Sequence, residues 1–141
     1  MHLSQRSDYA LRMLMALAAT EEVTSINWLA DRYSLSRNHL AKVAQDLVAA
    51  GYITSLRGRG GGLCLARPPA EINVGEVVRN LENFTGFVAC MGGQEHCVID
   101  GVCGLKPALA GALESFLQHL DKFDLSQIVA SKSRILSRLE D

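Results

Sequence analysis

Residues 26–66 read INWLADRY, SLS, RNHLAKVAQDLVAA, G, YITSL, RGRGGG and LCLA. Thr24 or Ser25 stands ahead of the first run as a helix cap, which predicts a short helix over Ile26 to Tyr33. Ser34-Leu35-Ser36 is a brief turn, and a second helix runs on to about Ala50. In it Leu40, Val43, Leu47 and Val48 follow the i, i+3, i+7, i+8 spacing of a buried stripe. The opposite face carries Asn38, His39, Lys42 and Gln45, with Ser36 and Arg37 at its start. Gly51 ends the helix, since glycine adopts the left-handed conformation there without penalty. Tyr52 to Leu56 then reads as a strand, Arg57 to Gly62 as a glycine-rich turn, and Leu63 to Ala66 as the returning strand. Two short helices at a tight turn followed by a hairpin predict a winged helix-turn-helix.

The exposed side chains of that unit match nucleic-acid recognition. Arginine reads guanine, asparagine and glutamine read adenine, and lysine and serine reach phosphates. At the wing, Gly58 and Gly60 let backbone approach a phosphodiester chain, while Arg57 and Arg59 bring charge suited to a narrow minor groove. A phosphate-binding loop of a nucleotide enzyme would need a Lys-Ser/Thr ending and a helix behind it; here a strand follows. The expected partner is double-stranded DNA.

Upstream, Ser7 or Asp8 is the expected cap of a core helix through Ala19, apolar almost all round. Pro68-Pro69 punctuates the chain and divides it into a winged domain, 1–67, and a second part, 68–141. The whole chain of 141 residues carries a net charge of −1, which by itself speaks against a polyanion. The division changes that reading. Residues 1–67 hold eight basic and five acidic groups, a balance of +3, and residues 68–141 hold six and ten, a balance of −4. No apolar run approaches the roughly 18 to 20 residues of a membrane-spanning helix. The start of the chain lacks the layout of a signal peptide, so a cytoplasmic setting with reduced thiols is expected. His2, His39, His96 and His119 are scattered without a catalytic constellation, so an enzyme is not expected.

Cys90, Cys97 and Cys103 fall within fourteen residues among Gly92, Gly93, Gly101 and Gly104, and Cys64 stands apart. Three such cysteines in a reduced compartment suggest a soft metal, either zinc or an iron-sulfur cluster. His96 is a candidate fourth ligand for zinc, but it adjoins Cys97, and neighbouring residues seldom point at one ion. Cys64 is expected to face inward from its strand. After Cys103, Leu109, Leu113, Phe116, Leu117, Leu120 and Phe123 make a stripe on a helix from about Lys106 to Lys122, serving as core or as a dimer seam. Asp124 and Gln127 have capping-box spacing for a short last helix, and the tail from Ser131 reads as solvated.

Taken together, Ser7-Asp8-Tyr9-Ala10-Leu11-Arg12, Ser36-Arg37-Asn38-His39, Arg57 to Gly62, Val74-Gly75-Glu76-Val77-Val78-Arg79 and the cysteine triplet before Leu105-Lys106 resemble NsrR. That family comprises nitric-oxide-sensing bacterial repressors within a larger group of iron-sulfur winged-helix regulators. The resemblance spans nearly the whole chain. It implies a mainly α fold with a β-hairpin wing and a long C-terminal dimerisation helix. It further implies a homodimer in which Cys90, Cys97 and Cys103 hold a cluster, usually [4Fe-4S] and otherwise [2Fe-2S]. The fourth ligand it implies is an aspartate of the partner subunit, which matches Asp8 here; Arg12, one turn on, can hold that carboxylate by an i, i+4 contact. Many members have five residues between the first two cysteines and this chain has six. The branch that senses cluster supply carries a histidine where Lys106 stands, which argues against it. The implied function is a repressor whose operator binding answers to nitric oxide through its cluster. The alternatives are an iron-responsive repressor of the same group and a zinc-stabilised DNA-binding or interaction module.

Overall fold

The structure, a computed structural model, describes residues 2–92 and 97–141. Helix α1 (Gln5–Thr20) is capped by Ser4, whose hydroxyl accepts from the Ser7 amide at 3.2 Å. The cap therefore stands three residues ahead of Ser7, the earlier of the two expected caps, and Ser7 lies fully buried in the first turn instead of capping it. Ala10, Met13, Leu14 and Leu17 bury together at the centre of the molecule. Helix α2 (Ile26–Tyr33) is capped by the Ser25 hydroxyl, which accepts from Trp28 N at 3.1 Å. Helix α3 (Arg37–Ala49) buries Leu40, Val43, Ala44 and Leu47. Val48 does not belong to that stripe; it is 41% exposed, and Ala44 takes the inward place beside Leu47. Gly51, at φ +77°, closes the helix in the left-handed conformation.

Strands β1 (Ile53–Leu56) and β2 (Gly62–Leu65) pair antiparallel, with Ile53 opposite Leu65 and Leu56 opposite Gly62. Each strand begins one residue away from its expected start. Tyr52 lies before β1, fully buried, with its hydroxyl accepting from Asn80 Nδ2 at 2.6 Å and the Arg67 guanidinium 4.9 Å from its ring centre. Burial pushes the Tyr52 phenol above its ordinary value of 10.0. The phase of β2 corrects the expectation for Cys64. Leu63 is the buried residue, so the two-residue alternation turns Cys64 outward, half-exposed, with Sγ 3.9 Å from the Thr54 carbonyl. Leu63 is held there because its N–H and C=O both pair with Thr24, at 2.8 and 2.9 Å, in the link between α1 and α2. Gly62 permits that approach, since a Cβ would lie 2.7 Å from the Thr24 carbonyl oxygen.

The core does not stop at residue 67. A 3-10 turn (Pro69–Glu71) leads into α4 (Val74–Leu81), whose Asn73 cap accepts from Glu76 N at 3.0 Å. Ile72, Val77 and Leu81 join the same core as α1 and α3. Helix α5 (Leu105–Leu120) packs on α4, where Leu113 and Leu117 cluster with Val78, and Phe84, Phe87 and Phe116 lie against them. The expected stripe thus ends at Leu120. Phe123 falls beyond the helix, 37% exposed, edge-on to His119.

The joint between α4 and α5 is tight. Arg79 grips the Asp121 carboxylate with both guanidinium nitrogens, Asn73 Nδ2 donates to the Asp121 carbonyl at 2.7 Å, and Gly75 faces that carboxylate so closely that no side chain fits. Helix α6 (Leu125–Ile128) has the expected capping box, with Gln127 N donating to Asp124 Oδ1 at 3.0 Å and Asp124 N donating to Gln127 Oε1 at 2.9 Å. The tail is not a solvated strand of chain. It forms α7 (Lys132–Glu140), which lies along α1 and sends Leu139 and Ile135 into the core. No helix of the described residues is long and apolar enough to cross a membrane.

Candidate nucleic-acid interface and metal-binding segment

Because α3 turns Leu40, Val43, Ala44 and Leu47 inward, its 3.6-residue period places Asn38, Lys42 and Gln45 in one outward row, with His39 beside it. Ser36, Arg37, Asn38, His39, Lys42 and Gln45 are all exposed. Ser36 occupies the cap position without a side-chain cap bond, so its hydroxyl is not committed to the helix. At the hairpin tip, Arg57, Gly58, Arg59 and Gly60 are exposed as well, and Gly58 (φ +97°) and Gly60 (φ +79°) take conformations that L side chains rarely adopt.

These two features meet. A hollow of about 230 Å³ is lined by Ser25, Ile26 and Asn27 of the α2 start, Arg37 of α3, and Ser55, Gly62 and Leu63 of the wing. Its polar rim adds Ser25, Asn27 and Ser55 to the surface, residues that the helix-turn-helix reading passed over. The exposed N-cap position of Ser25 was the available signal for the first two. A second hollow, about 470 Å³, lies between α1 and α3 and is lined by Gln5, Arg6, Tyr9, His39, Lys42, Val43 and Asp46. Among the described residues, no ion pair occupies Arg37, Lys42, Arg57 or Arg59, whereas Arg6, Arg12, Arg67 and Arg79 are each paired with a carboxylate. Uncompensated cations on a helix and an adjoining hairpin tip can neutralise phosphates, and the amides between them can address base edges.

The cysteine segment leaves α4 at Glu82. Cys90 sits half-buried in a 3-10 turn (Ala89–Met91), after another turn over Phe84–Gly86. Cys97 is exposed and opens a turn in which Asp100 N donates to its carbonyl at 2.9 Å, and Gly101 has φ +88°. Cys103, half-buried, precedes Gly104 at the start of α5. Lys106 in the first turn of α5 donates to Asp100 Oδ1 at 3.0 Å. That bond holds the Asp100 carboxyl below its ordinary range and the Lys106 ammonium above its own, and the Cys90 and Cys103 sulfurs add to the effect on Lys106. His96 lies outside the described residues. Among the described residues, no three His, Cys, Asp or Glu side chains converge as a metal site, and Asp8 joins no such group.

Asp8, in the first turn of α1, is half-exposed and clamped by Arg12, with Nε 3.0 Å from Oδ1 and Nη2 2.9 Å from Oδ2. Arg12 is itself placed by Tyr33, whose hydroxyl donates to the Arg12 carbonyl at 3.1 Å. The donor chemistry fits a soft-metal centre: all three thiols are free, and an outward carboxylate is held ready on a rigid helix.

Residues 3–131 match Rrf2, a family described as an iron-dependent transcriptional regulator. The HTH-type transcriptional regulator NsrR of Bacillus subtilis is 43% identical over 143 residues, covering 99% of this chain and 98% of that protein. NsrR of Bacillus licheniformis is 41% identical over 138 residues, covering 96% of each. Among solved structures, T. potens IscR superposes with a TM-score of 0.74 at 26% identity, covering 93% of this chain and 88% of that one. CymR, the global cysteine regulator of B. subtilis, gives a TM-score of 0.73 at 23% identity, over 93% and 98%, and shares the fold. The winged helix-turn-helix and the NsrR likeness read from the sequence agree with these matches, and the chain belongs to the Rrf2 family of DNA-binding transcriptional regulators.

Proposed function

We propose that this chain is a cytoplasmic, homodimeric repressor whose hold on its operator is set by an iron-sulfur cluster that answers to nitric oxide. The observation that carries the reading is the pairing of one uncompensated cationic face, α3 with the wing, with a segment of three free thiols joined to the same core through α4. Arg37, Asn38 and Gln45 read base edges in the major groove. Ser36, His39 and Lys42 contact phosphates, and Arg57 and Arg59, with Gly58 and Gly60, enter the minor groove. Two recognition helices of a dimer must stand roughly 34 Å apart, or a multiple of it, to meet successive half-sites, so a small rotation between subunits costs several contacts at once.

Cys90, Cys97 and Cys103 would hold the cluster, [4Fe-4S] in the first instance and [2Fe-2S] otherwise, and the partner subunit's Asp8 would supply the fourth ligand. When bound, the cluster supplies iron that nitric oxide can attack, most readily where a hard carboxylate is the ligand. This chain's part is mechanical. Arg12 keeps the Asp8 carboxylate at one rotamer, and α5 carries the cysteine segment onto a helix suited to pair with its copy. Val98, Ile99, Val102 and Leu105 stand exposed along that segment, which supports a second subunit as its cover.

Anaerobically purified chain should show cluster absorbance with matching iron and sulfide counts, bind operator DNA tightly, and release it on addition of nitric oxide. Protein that binds zinc and no sulfide would support the zinc-stabilised module. Release on iron depletion without any response to nitric oxide would support the iron-responsive repressor.

A further inference from the structure

The geometry points to Arg6 as the residue that passes the state of the cysteine segment to the recognition helix. Arg6 lies in the first turn of α1 and makes two contacts with different partners. Its Nη1 donates to the carbonyl of Leu81, the last residue of α4, at 3.4 Å, and its Nε donates to Asp46 Oδ2 on α3 at 2.7 Å. The Leu81 carbonyl is one of the terminal acceptors that a helix leaves unpaired, at the negative end of its dipole, which suits a guanidinium. Asp46 stands one turn beyond Lys42 on α3, so the pair grips the helix whose outer row faces DNA.

A second bond secures the same joint. Ser4 N donates to Glu82 Oε1 at 2.7 Å, so two consecutive residues at the end of α4 hold the start of α1. Glu82 opens the segment that holds the three cysteines, and Phe84 and Phe87 root it on the α4–α5 cluster. Displacement of that segment moves the end of α4, the end of α4 moves Arg6, and Arg6 moves α3. Asp8 follows Arg6 by two residues and Arg12 follows it by six on the same helix, so the proposed ligand and the relay share one rigid element.

The pair is half-exposed, with side-chain exposures of 48% and 33%, and pairs of that kind contribute little to stability. Arg6 is thus a positioning residue whose loss leaves the fold standing. The inference rests on the cluster-gated reading above, and the test separates the two. Operator Kd is measured by fluorescence anisotropy for the cluster-loaded full-length chain before and after nitric oxide, and the ratio of the two values is the readout. In Arg6→Ala and in Asp46→Asn the ratio should fall by at least about twofold, with iron and sulfide content and thermal midpoint as in the parent chain. The double variant should lose no more than either single one.

Arg6→Lys keeps the charge but cannot span both acceptors, so it should lose the ratio as Arg6→Ala does. If Arg6→Ala shifts both affinities equally, or Arg6→Lys keeps the full ratio, Arg6 acts only as a charge near DNA and the relay is overturned. Loss of the cluster in Arg6→Ala would overturn it also, by placing Arg6 in the holding of the cluster. An unaltered chain that ignores nitric oxide removes the cluster-gated reading and the relay together, whereas a responsive chain with an unchanged ratio in the variants removes the relay alone.

Discussion

The recognition helix with its wing and the segment from Glu82 to Gly104 carry the chemistry of this chain, and they are built in opposite ways. Under the reading face everything is buried: Leu40, Val43, Ala44 and Leu47 of α3, Ile53 of β1 and Leu63 of β2 all lie in one core, and Thr24 pins the hairpin from the side. Its polar side chains are exposed on a packed support, so the face shifts only as a unit. Along the described part of the cysteine segment the order is reversed. Only short 3-10 turns organise it, Val98 is fully exposed, and Ile99, Val102 and Leu105 face outward. The helix and wing are backed by one core, while the thiol segment is rooted by Phe84 and Phe87 at its start and turns Val98, Ile99 and Val102 outward beyond them. An element meant to change state is best drawn from the part of a fold with least burial.

That contrast can be broken at either end. The largest effect is expected at Cys97. Cys97→Ser should abolish cluster absorbance altogether while leaving the thermal midpoint of the apo chain unchanged, since the side chain is exposed and buries nothing. Retention of the full iron and sulfide count would remove Cys97 from the ligands.

Next comes the wing. Replacing Arg57 and Arg59 together with alanine should weaken operator binding by about tenfold or more at low salt. It should also reduce the slope of log K against log salt by about 2, as expected when two cations that displace counterions from the DNA are lost. The cluster spectrum should not change, because the wing and the cysteine segment touch the core at different places.

A substitution at the joint between α4 and α5 probes what ties the cysteine segment to the core. Gly75→Ala forces a methyl group into the Asp121 carboxylate and should destabilise the fold by about 1–3 kcal/mol in urea titration. A change below about 0.5 kcal/mol would mean that α4 and α5 can part easily, and the two regions would then be less firmly joined than the packing indicates.

The smallest effect concerns pH. Hydrogen bonds from Arg79 hold the Asp121 carboxyl below its ordinary value of 3.8. A depressed carboxyl stabilises the fold above that ordinary value, and the contribution disappears as pH falls through the lowered one. The thermal midpoint should therefore drop on acidification below about pH 4, and Asp121→Asn should flatten that part of the curve.

Much of the fold was legible from spacing. Helices α2 and α3, the hairpin and the capping box at Asp124 stand within a residue or two of where their signals put them. Helix α4 was there to be read, for Val74, Val77, Val78 and Leu81 have i, i+3, i+4, i+7 spacing behind an Asn73 cap, but those residues served only as part of the NsrR motif. Helix α7 was harder. Its apolar residues are few and set among charges, and it is helical because α1 offers a surface for Ile135 and Leu139. Cys64 went astray because Leu63, Cys64 and Leu65 are all apolar, so period alone does not say which faces in.

The sequence by itself determined the elements and the chemical groups: a helix-turn-helix with a glycine-rich wing, a cationic first half, and three thiols in one stretch. Tertiary structure decided which cations are free. Arg6, Arg67 and Arg79 are matched by Asp46, Glu76 and Asp121, residues 40, 9 and 42 positions away, while Arg37, Lys42, Arg57 and Arg59 remain uncommitted among the described residues. Charge pairing is short-ranged in salt water, so it depends on distances that exist only after helices pack. The count of charges is written in the chain, and their availability to DNA is a product of the fold.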